Sequence, residues 1–314
     1  MKILITGVHG FVGSNLVKAL SKDNIIYGLD IIDPVKEGVK FTFKWEDLDK
    51  EGMVPEMDAI IHLAGKAHDT KNQAAAEVYF KVNRDLTIKI FDYFCAHPNI
   101  KKFVFFSTAK AAADKVDGIL TEDVVPAPVG PYGESKIAAE QYLLSKTEEV
   151  RSKGKDVYIF RPCMIHGPGN KGNLNLLYNL VKKGIPWPLG AFENRRTFTS
   201  IENICFAVNG VLTKDVPSGI YNMGDDEALS TNELIEEICK SLGKKAHIWK
   251  LPKGLMTGVA TLGGWLHLPL NPERLRKLTE NYISSNAKIK KALRVERMPV
   301  NARDGLRMTL ENFK

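Results

Sequence analysis

A chain of 314 residues, 44% hydrophobic and 26% charged, can hold one large or two modest domains with a buried core, which excludes a disordered or fibrous protein. No apolar run approaches a membrane span, and the short apolar stretch after Met1 runs into glycines and a histidine rather than a leader, so a cytoplasmic protein with no stable membrane insertion is expected. The net charge of +7 is concentrated in residues 271–314, where 11 Lys/Arg face 5 Asp/Glu; this reads as a solvated basic face or as attraction to an anionic substrate or membrane, and no basic stripe with interleaved aromatics points to nucleic acid.

KILIT (2–6) reads as a first buried strand running straight into TGVHGFVGSNL. Gly7, Gly10 and Gly13 are spaced G-x-x-G-x-x-G, with Phe11 and Val12 between the last two, and a helix over 11–22 follows. A tight turn here points backbone N–H groups and a helix N-terminus at a diphosphate, and glycine admits the close approach this needs. A second strand, 25–30, ends on Asp30, seventeen residues after Gly13. Its carboxylate can accept from adenine-ribose hydroxyls and repels a 2′-phosphate; no Lys or Arg occurs at 31–35, which favours NAD over NADP.

DAIIHLA (58–64) reads as a third strand, with His62 a packed core histidine. A helix over 75–97, a strand over 102–107, a helix over 132–153 and a strand over 157–162 follow. Near-continuous apolar strands separated by helices predict a Rossmann-type, doubly wound parallel sheet covered on both faces. The strand KFVFFS runs into Ser107-Thr108, read either as a helix cap or as a substrate contact. PYGESK places Tyr132 and Lys136 four apart on one helix face. A lysine beside a tyrosine is expected to lower the phenol pKa and make it a base for a hydroxyl proton.

After Pro162 the pattern changes. HGPGNKGN (166–173) is a glycine-rich loop, LNLLYNLVKKG (174–184) is helical, and short elements follow with Pro252 and Pro269 as breaks. A smaller α/β C-terminal region is expected: 1–162 binds the dinucleotide, 202–222 returns to it, and 163–201 with 223–314 binds substrate. Cys95, Cys163, Cys205 and Cys239 lie far apart with no C-x-x-C pair, so no metal or redox motif is read.

Together, TGVHGFVG, Asp30, DAIIHLAG, the V-N of KVNRDLT, FSTAKAA, PYGESK, RPCMIHGPG and NRRTFTSIENIC resemble the NAD-dependent epimerase/dehydratase family of extended short-chain dehydrogenases, along essentially the whole chain. The resemblance implies Thr108, Tyr132 and Lys136 as catalytic residues, Thr108 bonding the sugar hydroxyl, Tyr132 as base and Lys136 holding the nicotinamide ribose. It implies NAD contacts from the glycine turn, Asp30, Asp47 and Leu48 (in WEDL), Leu63, Ala64, Gly65, Asn83, Ser107 and Pro162. It implies nucleotide-sugar contacts from Asn173, Leu174, Leu189, Arg196 and a C-terminal arginine, with Arg276 taken over Arg274. Tyr282 lies near the gatekeeper position, where bulk disfavours N-acetylated sugars. Relatives imply a homodimer. Asn173 as a helix cap and Trp187 as a packing residue rather than a base platform stay open.

In this family the 4,6-dehydratases carry Asp-Glu after the threonine, an acid and a base for elimination; here Ala109 and Lys110 stand there. The implied reaction is oxidation and reduction at carbon 4 of a UDP-linked hexose or N-acetylhexosamine, a 4-epimerase. A 4-keto-6-deoxysugar reductase, whose branch carries lysine at the position of Lys110, is the alternative, and a non-catalytic NAD-sensing scaffold is the third.

Overall fold

The computed structural model describes residues 1–67, 75–170, 172–266 and 270–313; Lys171 of the glycine-rich loop and Pro269, expected as a break, lie outside them. The chain begins with β1 (Lys2–Thr6), α1 (Phe11–Leu20), β2 (Ile25–Leu29), β3 (Val39–Phe43), a 3₁₀ turn (Trp45–Asp49) and β4 (Ala59–His62). Three helical pieces follow, α2 (Ala76–Tyr79), a π-helical turn (Phe80–Asp85) and α3 (Leu86–Ala96). Next come β5 (Lys102–Phe106), α4 (Ala109–Ala112), β6 (Ile119–Leu120), α5 (Pro131–Ser145), α6 (Thr147–Ser152) and β7 (Asp156–Pro162).

The rest comprises β8 (Met164–His166), α7 (Asn173–Lys182), β9 (Phe198–Ser200), α8 (Ile201–Thr213), β10 (Gly219–Met223), α9 (Thr231–Ser241), α10 (Lys253–Trp265), α11 (Pro272–Thr279), β11 (Ile283–Ser284), α12 (Ala287–Leu293) and α13 (Ala302–Glu311).

Seven strands form one parallel sheet in the order β3-β2-β1-β4-β5-β7-β10. The chain starts in the middle and winds outward both ways, so the order reverses between β1 and β4, where a crevice opens at the strands' carboxyl ends. The strands are apolar on both faces because both are covered. Ile3 and Ile5 of β1 and Val104 and Phe106 of β5 pack under α1, α8 and α12. Their neighbours Leu4, Phe103 and Phe105 pack under α3, α5 and α6. A third core, built on α7, α9, α10, α11 and α13, lies beyond the sheet. Two short parallel ladders, β6 with β11 and β8 with β9, join distant parts of the chain.

Two expected helices are broken. The run expected over 75–97 changes register in the π-helical turn, which buries Asn83 completely; such turns concentrate at functional positions. The run expected over 132–153 divides at Lys146 into α5 and α6. β3 is an edge strand with a largely exposed pattern, so it lacks the apolar run that reveals the inner strands.

One buried ion pair crosses the helix–sheet boundary. Arg161 on β7 and Glu140 on α5 are 1% and 0% exposed, with Arg161 Nη2 donating to Glu140 at 2.5 Å and Nε at 3.0 Å. The Ser107 hydroxyl, just past β5, also donates to Glu140. Glu140→Ala should therefore strand a buried guanidinium and cost about 3–5 kcal/mol in denaturant unfolding, while adding Arg161→Met should recover part of it. A cost for the single variant below about 1 kcal/mol would show that the pair does not hold these elements together.

Candidate active site

The glycine turn joins β1 to α1. Gly7 has φ +68°, and a Cβ there would lie 2.9 Å from the Ala64 amide nitrogen. A Cβ on Gly13 would lie 2.5 Å from the Gly7 carbonyl oxygen, so α1 comes as close to the turn as it does only without one. The N-cap is Gly10 and no side chain caps the helix, leaving first-turn N–H groups facing outward between the partly buried Phe11 and Val12. This cradle fits a dinucleotide diphosphate.

Asp30 stands beside the turn, accepting from the His9 amide at 3.1 Å and the Ile31 amide at 2.8 Å, which leaves lone pairs on both oxygens. Lys36, one residue past the window searched for a cation, folds back to donate to the Ser14 hydroxyl at 2.6 Å. Burial lowers its pKa, as does Lys18. Asp47 is engaged locally, accepting from the Lys44 amide and pairing with Lys50 at 2.8 Å. Leu48 beside it packs partly buried on the core.

Behind the turn runs a closed chain of hydrogen bonds. The Thr87 hydroxyl donates to the Asn83 carbonyl, so it accepts from His62 Nε2 at 2.9 Å. His62 Nδ1 then accepts from the Thr6 hydroxyl at 2.7 Å, and Thr6 accepts from the amides of Leu63 and Ala64. His62 is fully buried and neutral; burial, and secondly Lys136, hold its pKa well below the usual value. Asn83 clamps Lys66 through both backbone groups and donates to Ser135, whose hydroxyl donates to the Tyr132 carbonyl. These bonds position the strand-end segment Leu63–Gly65 against α5, and a Cβ on Gly65 would lie 3.1 Å from Lys136 Nζ.

Thr108 is the helix cap that its position suggested. It accepts from the Lys110 amide at 3.3 Å at the head of α4, and its side chain stands close enough to the Tyr132 phenol to favour the ionised form. Tyr132 lies edge-on to Tyr79, ring centroids 6.5 Å apart, a partner that no motif revealed. The electrostatics differ from expectation. Burial pushes the Tyr132 phenol up and Tyr79 adds to the rise, with Thr108 opposing; Lys136 does not lower it. The Lys136 ammonium instead donates to the Phe106 carbonyl at 2.8 Å over the Phe105 ring. Burial lowers its own pKa to about 8, with Glu140 opposing.

On the far side of Thr108, Lys110 pairs with Asp114 at 2.8 Å and lies over the Tyr282 ring. Arg276 also reaches Asp114, at 3.2 Å, and Glu280. Burial acts to raise the Asp114 pKa, but Lys110 and Arg276 hold it below the usual value. Arg196 donates to the Lys277 carbonyl; burial lowers its pKa against the charge of Glu280. Arg196 and Arg276 thus flank one acidic cluster, whereas Arg274 lies exposed. The Tyr282 hydroxyl donates to the Ala113 carbonyl, and its ring packs with Ala109 and, at the edge, Cys163, whose thiol burial pushes up to about 12. Leu174 and Leu189 are core residues, leaving their backbone as the only contact they can offer, and Trp187 is also packed in that core. The cap of α7 is Gly172, with Asn173 the first helical residue. Pro162 ends β7 beside β10.

The profile of the NAD-dependent epimerase/dehydratase family matches residues 3–224. A UDP-glucose 4-epimerase of Vibrio cholerae is 32% identical over 267 residues, covering 80% of this chain and 78% of that protein. An N-acetyl-α-D-glucosaminyl-diphospho-ditrans,octacis-undecaprenol 4-epimerase of Escherichia coli O157:H7 is 28% identical, covering 92% of this chain and 84% of its own. The crystal structure of a UDP-glucuronic acid 4-epimerase from Bacillus cereus with NAD superposes with a TM-score of 0.75 at 22% identity, over 99% of this chain and 98% of that one. The chain belongs to the NAD-dependent epimerase/dehydratase family: it is an enzyme of the extended short-chain dehydrogenase type, and its cofactor is NAD.

Two outcomes test this geometry. Gly13→Ala should weaken NAD binding at least about tenfold by calorimetry, because the added methyl meets backbone on both sides. Unchanged affinity would mean the diphosphate lies elsewhere. Lys136 is charged in both states below pH 8; between about 8 and 10.5 the unfolded chain keeps a proton that the folded chain has released. Its contribution to stability therefore rises with pH across that window, by up to about 3 kcal/mol. The stability difference between cofactor-free wild type and Lys136→Met should climb over the same range, and a flat difference contradicts the burial of this ammonium.

Proposed function

We propose that this family member is a nucleotide-sugar 4-epimerase, acting on a UDP-hexose or UDP-N-acetylhexosamine by transient oxidation to the 4-keto sugar. The observation that carries this reading is the junction of Thr108 with Tyr132 and Lys136, followed by residues unable to eliminate water. Ala109 is buried in the apolar cluster with Tyr282, and Lys110 is held by Asp114, so no acid–base pair follows the threonine.

Residues 1–162, with 202–222, would hold NAD. The Gly7–Gly13 turn takes the diphosphate, Asp30 the adenine ribose, Asp47 and Leu48 the adenine side, and Leu63–Gly65, Ser107, Lys136 and Pro162 the nicotinamide side. NAD bound there supplies a hydride acceptor and donor and, while oxidised, a positive charge that lowers the Tyr132 phenol pKa. Tyr132 takes the carbon-4 hydroxyl proton, directly or through Thr108, and later returns it. Lys136 orients the ribose and, charged below pH 8, favours the phenolate once that ribose draws its ammonium toward the site.

Residues 163–201 and 223–314 would hold the nucleotide sugar. Arg196 and Arg276 take the diphosphate, displacing their present acidic and carbonyl partners, which suits a guanidinium fork. Asn173, Leu174 and Leu189 offer contacts to the nucleotide, and Tyr282 bounds the sugar. Anchoring by diphosphate lets the 4-keto sugar turn over between hydride transfers. The enzyme works in the cytoplasm, as a homodimer on the family's pattern. The E. coli relative supports the same carbon-4 chemistry on a diphosphate-linked sugar. Lys110 favours a second reading, reduction of a 4-keto-6-deoxysugar.

Purified protein given UDP-glucose or UDP-N-acetylglucosamine, with no added reductant, should form the carbon-4 epimer by NMR. Tyr132→Phe should lower kcat about 10²–10⁴-fold. Turnover only of a 4-keto sugar with added NAD(P)H would replace this reading with the reductase, and binding of NAD without turnover would leave the scaffold.

A further inference from the structure

α10 turns only a narrow side inward. Met256 and Ala260 pack in the third core, and Gly263 is buried beside them on the helix. Leu255, Val259, Leu262, Trp265 and Leu266 are 56, 44, 61, 83 and 59% exposed. Their spacing places them along one outward stripe of the helix, where a solvated helix would carry charge. Trp249, just before the helix, is 54% exposed as well. An apolar stripe of this extent marks an interaction surface.

The charge around the stripe identifies its partner. No Asp or Glu occurs from Ile238 to Pro272, a stretch that holds Lys240, which pairs with Glu237, and also Lys244, Lys245, Lys250 and Lys253. Lys250 and Lys253 are exposed beside the helix start. Lys244 donates to the Lys182 carbonyl, which gathers Lys182, Lys183, Lys244 and Lys245 beside the segment leading into α10. We propose that this face of α10 docks on the surface of an anionic lipid bilayer. Leucines and valine enter the headgroup–acyl boundary, tryptophans sit at the interface and lysines meet the anionic headgroups. A second copy fits worse, because a self-complementary contact would bring Lys244, Lys245, Lys250 and Lys253 of both copies together, with no carboxylate in 238–272 to pair them. α10 has 13 residues, too short to cross a bilayer, so it lies in the interface plane.

Part of the basic charge that composition places in 271–314 is taken up by the fold, while Lys288, Lys291, Arg294 and Arg297 lie exposed. Within 271–314, Arg276, Lys277, Lys290, Arg303 and Arg307 are engaged with carboxylates of the fold. Docking through α10 would bring the bilayer to the substrate side of the site. α10 packs against α11, which carries Arg276 to Asp114.

The test is flotation of the full chain with phosphatidylcholine vesicles, with and without phosphatidylglycerol, in the absence of any sugar substrate, so that it is independent of the assigned reaction. Wild type should float with phosphatidylglycerol vesicles and bind them less as salt rises. Leu262→Glu with Trp265→Glu should weaken binding at least about tenfold at unchanged melting temperature, these side chains being exposed. Lys250→Glu with Lys253→Glu should weaken binding and flatten the salt dependence. No binding to phosphatidylglycerol vesicles, or equal binding by the Leu262/Trp265 variant, overturns the proposal. So does a dimer that this variant splits while vesicles go unbound, which would assign the face to a second copy.

Discussion

The Glu140–Arg161 pair is the constraint from which the active-site geometry follows. It is fully buried, so in a low-dielectric surround neither charge can separate from the other without a large penalty. Glu140 is on α5, Arg161 on β7, and Ser107 at the end of β5 joins them through its hydroxyl. The pair therefore fixes a helix to two neighbouring strands at the level where the strands end. Thr108 follows Ser107, and Tyr132 and Lys136 lie two turns and one turn before Glu140 on the same helix face. Three residues from two elements, Thr108 at the head of α4 and Tyr132 and Lys136 on α5, are thus held on a common frame.

The second determinant is the sheet itself. Strand order reverses between β1 and β4, opening the crevice into which the glycine turn points. The Thr6–His62–Thr87–Asn83 chain closes the crevice floor with every donor matched. A neutral histidine there keeps the floor uncharged beneath Lys136, whose ammonium already bears the cost of burial. The substrate side is built differently. Lys110 and Arg276 meet Asp114 and Glu280 in partly exposed ion pairs, which a diphosphate can displace at low cost, and Arg196 beside them donates to the Lys277 carbonyl.

The inner strands, the glycine turn and the Tyr132–Lys136 face were legible because each rests on a local signal: an apolar run, a spacing of glycines, an i,i+4 pair. The π-helical turn at Phe80–Asp85 was not, since its register change answers to Lys66 and Ser135, which bond Asn83 from outside the helix. Glu140 and Arg161 are 21 residues apart on different elements, and nothing local marks a charge destined for burial. Lys36 follows directly on the cation-free residues 31–35, and only the fold brings it back to Ser14 beside the turn. The phenol pKa was misjudged for a related reason: i,i+4 spacing puts Lys136 on the Tyr132 face, but the Phe106 carbonyl takes its ammonium. The exposed stripe on α10 was written in the spacing of Leu255, Val259 and Leu262, and reads as a core stripe until the structure shows it turned outward.

The central claim is that Thr108, Tyr132 and Lys136 support reversible oxidation at one sugar carbon with no exchange to solvent. It is tested most directly with UDP-glucose or UDP-N-acetylglucosamine deuterated at carbon 4, turned over in ordinary water and followed by NMR. The account predicts that the carbon-4 epimer accumulates with the deuterium still on carbon 4, because the hydride leaves and returns within one bound complex. An epimer that has lost the label to solvent would contradict it.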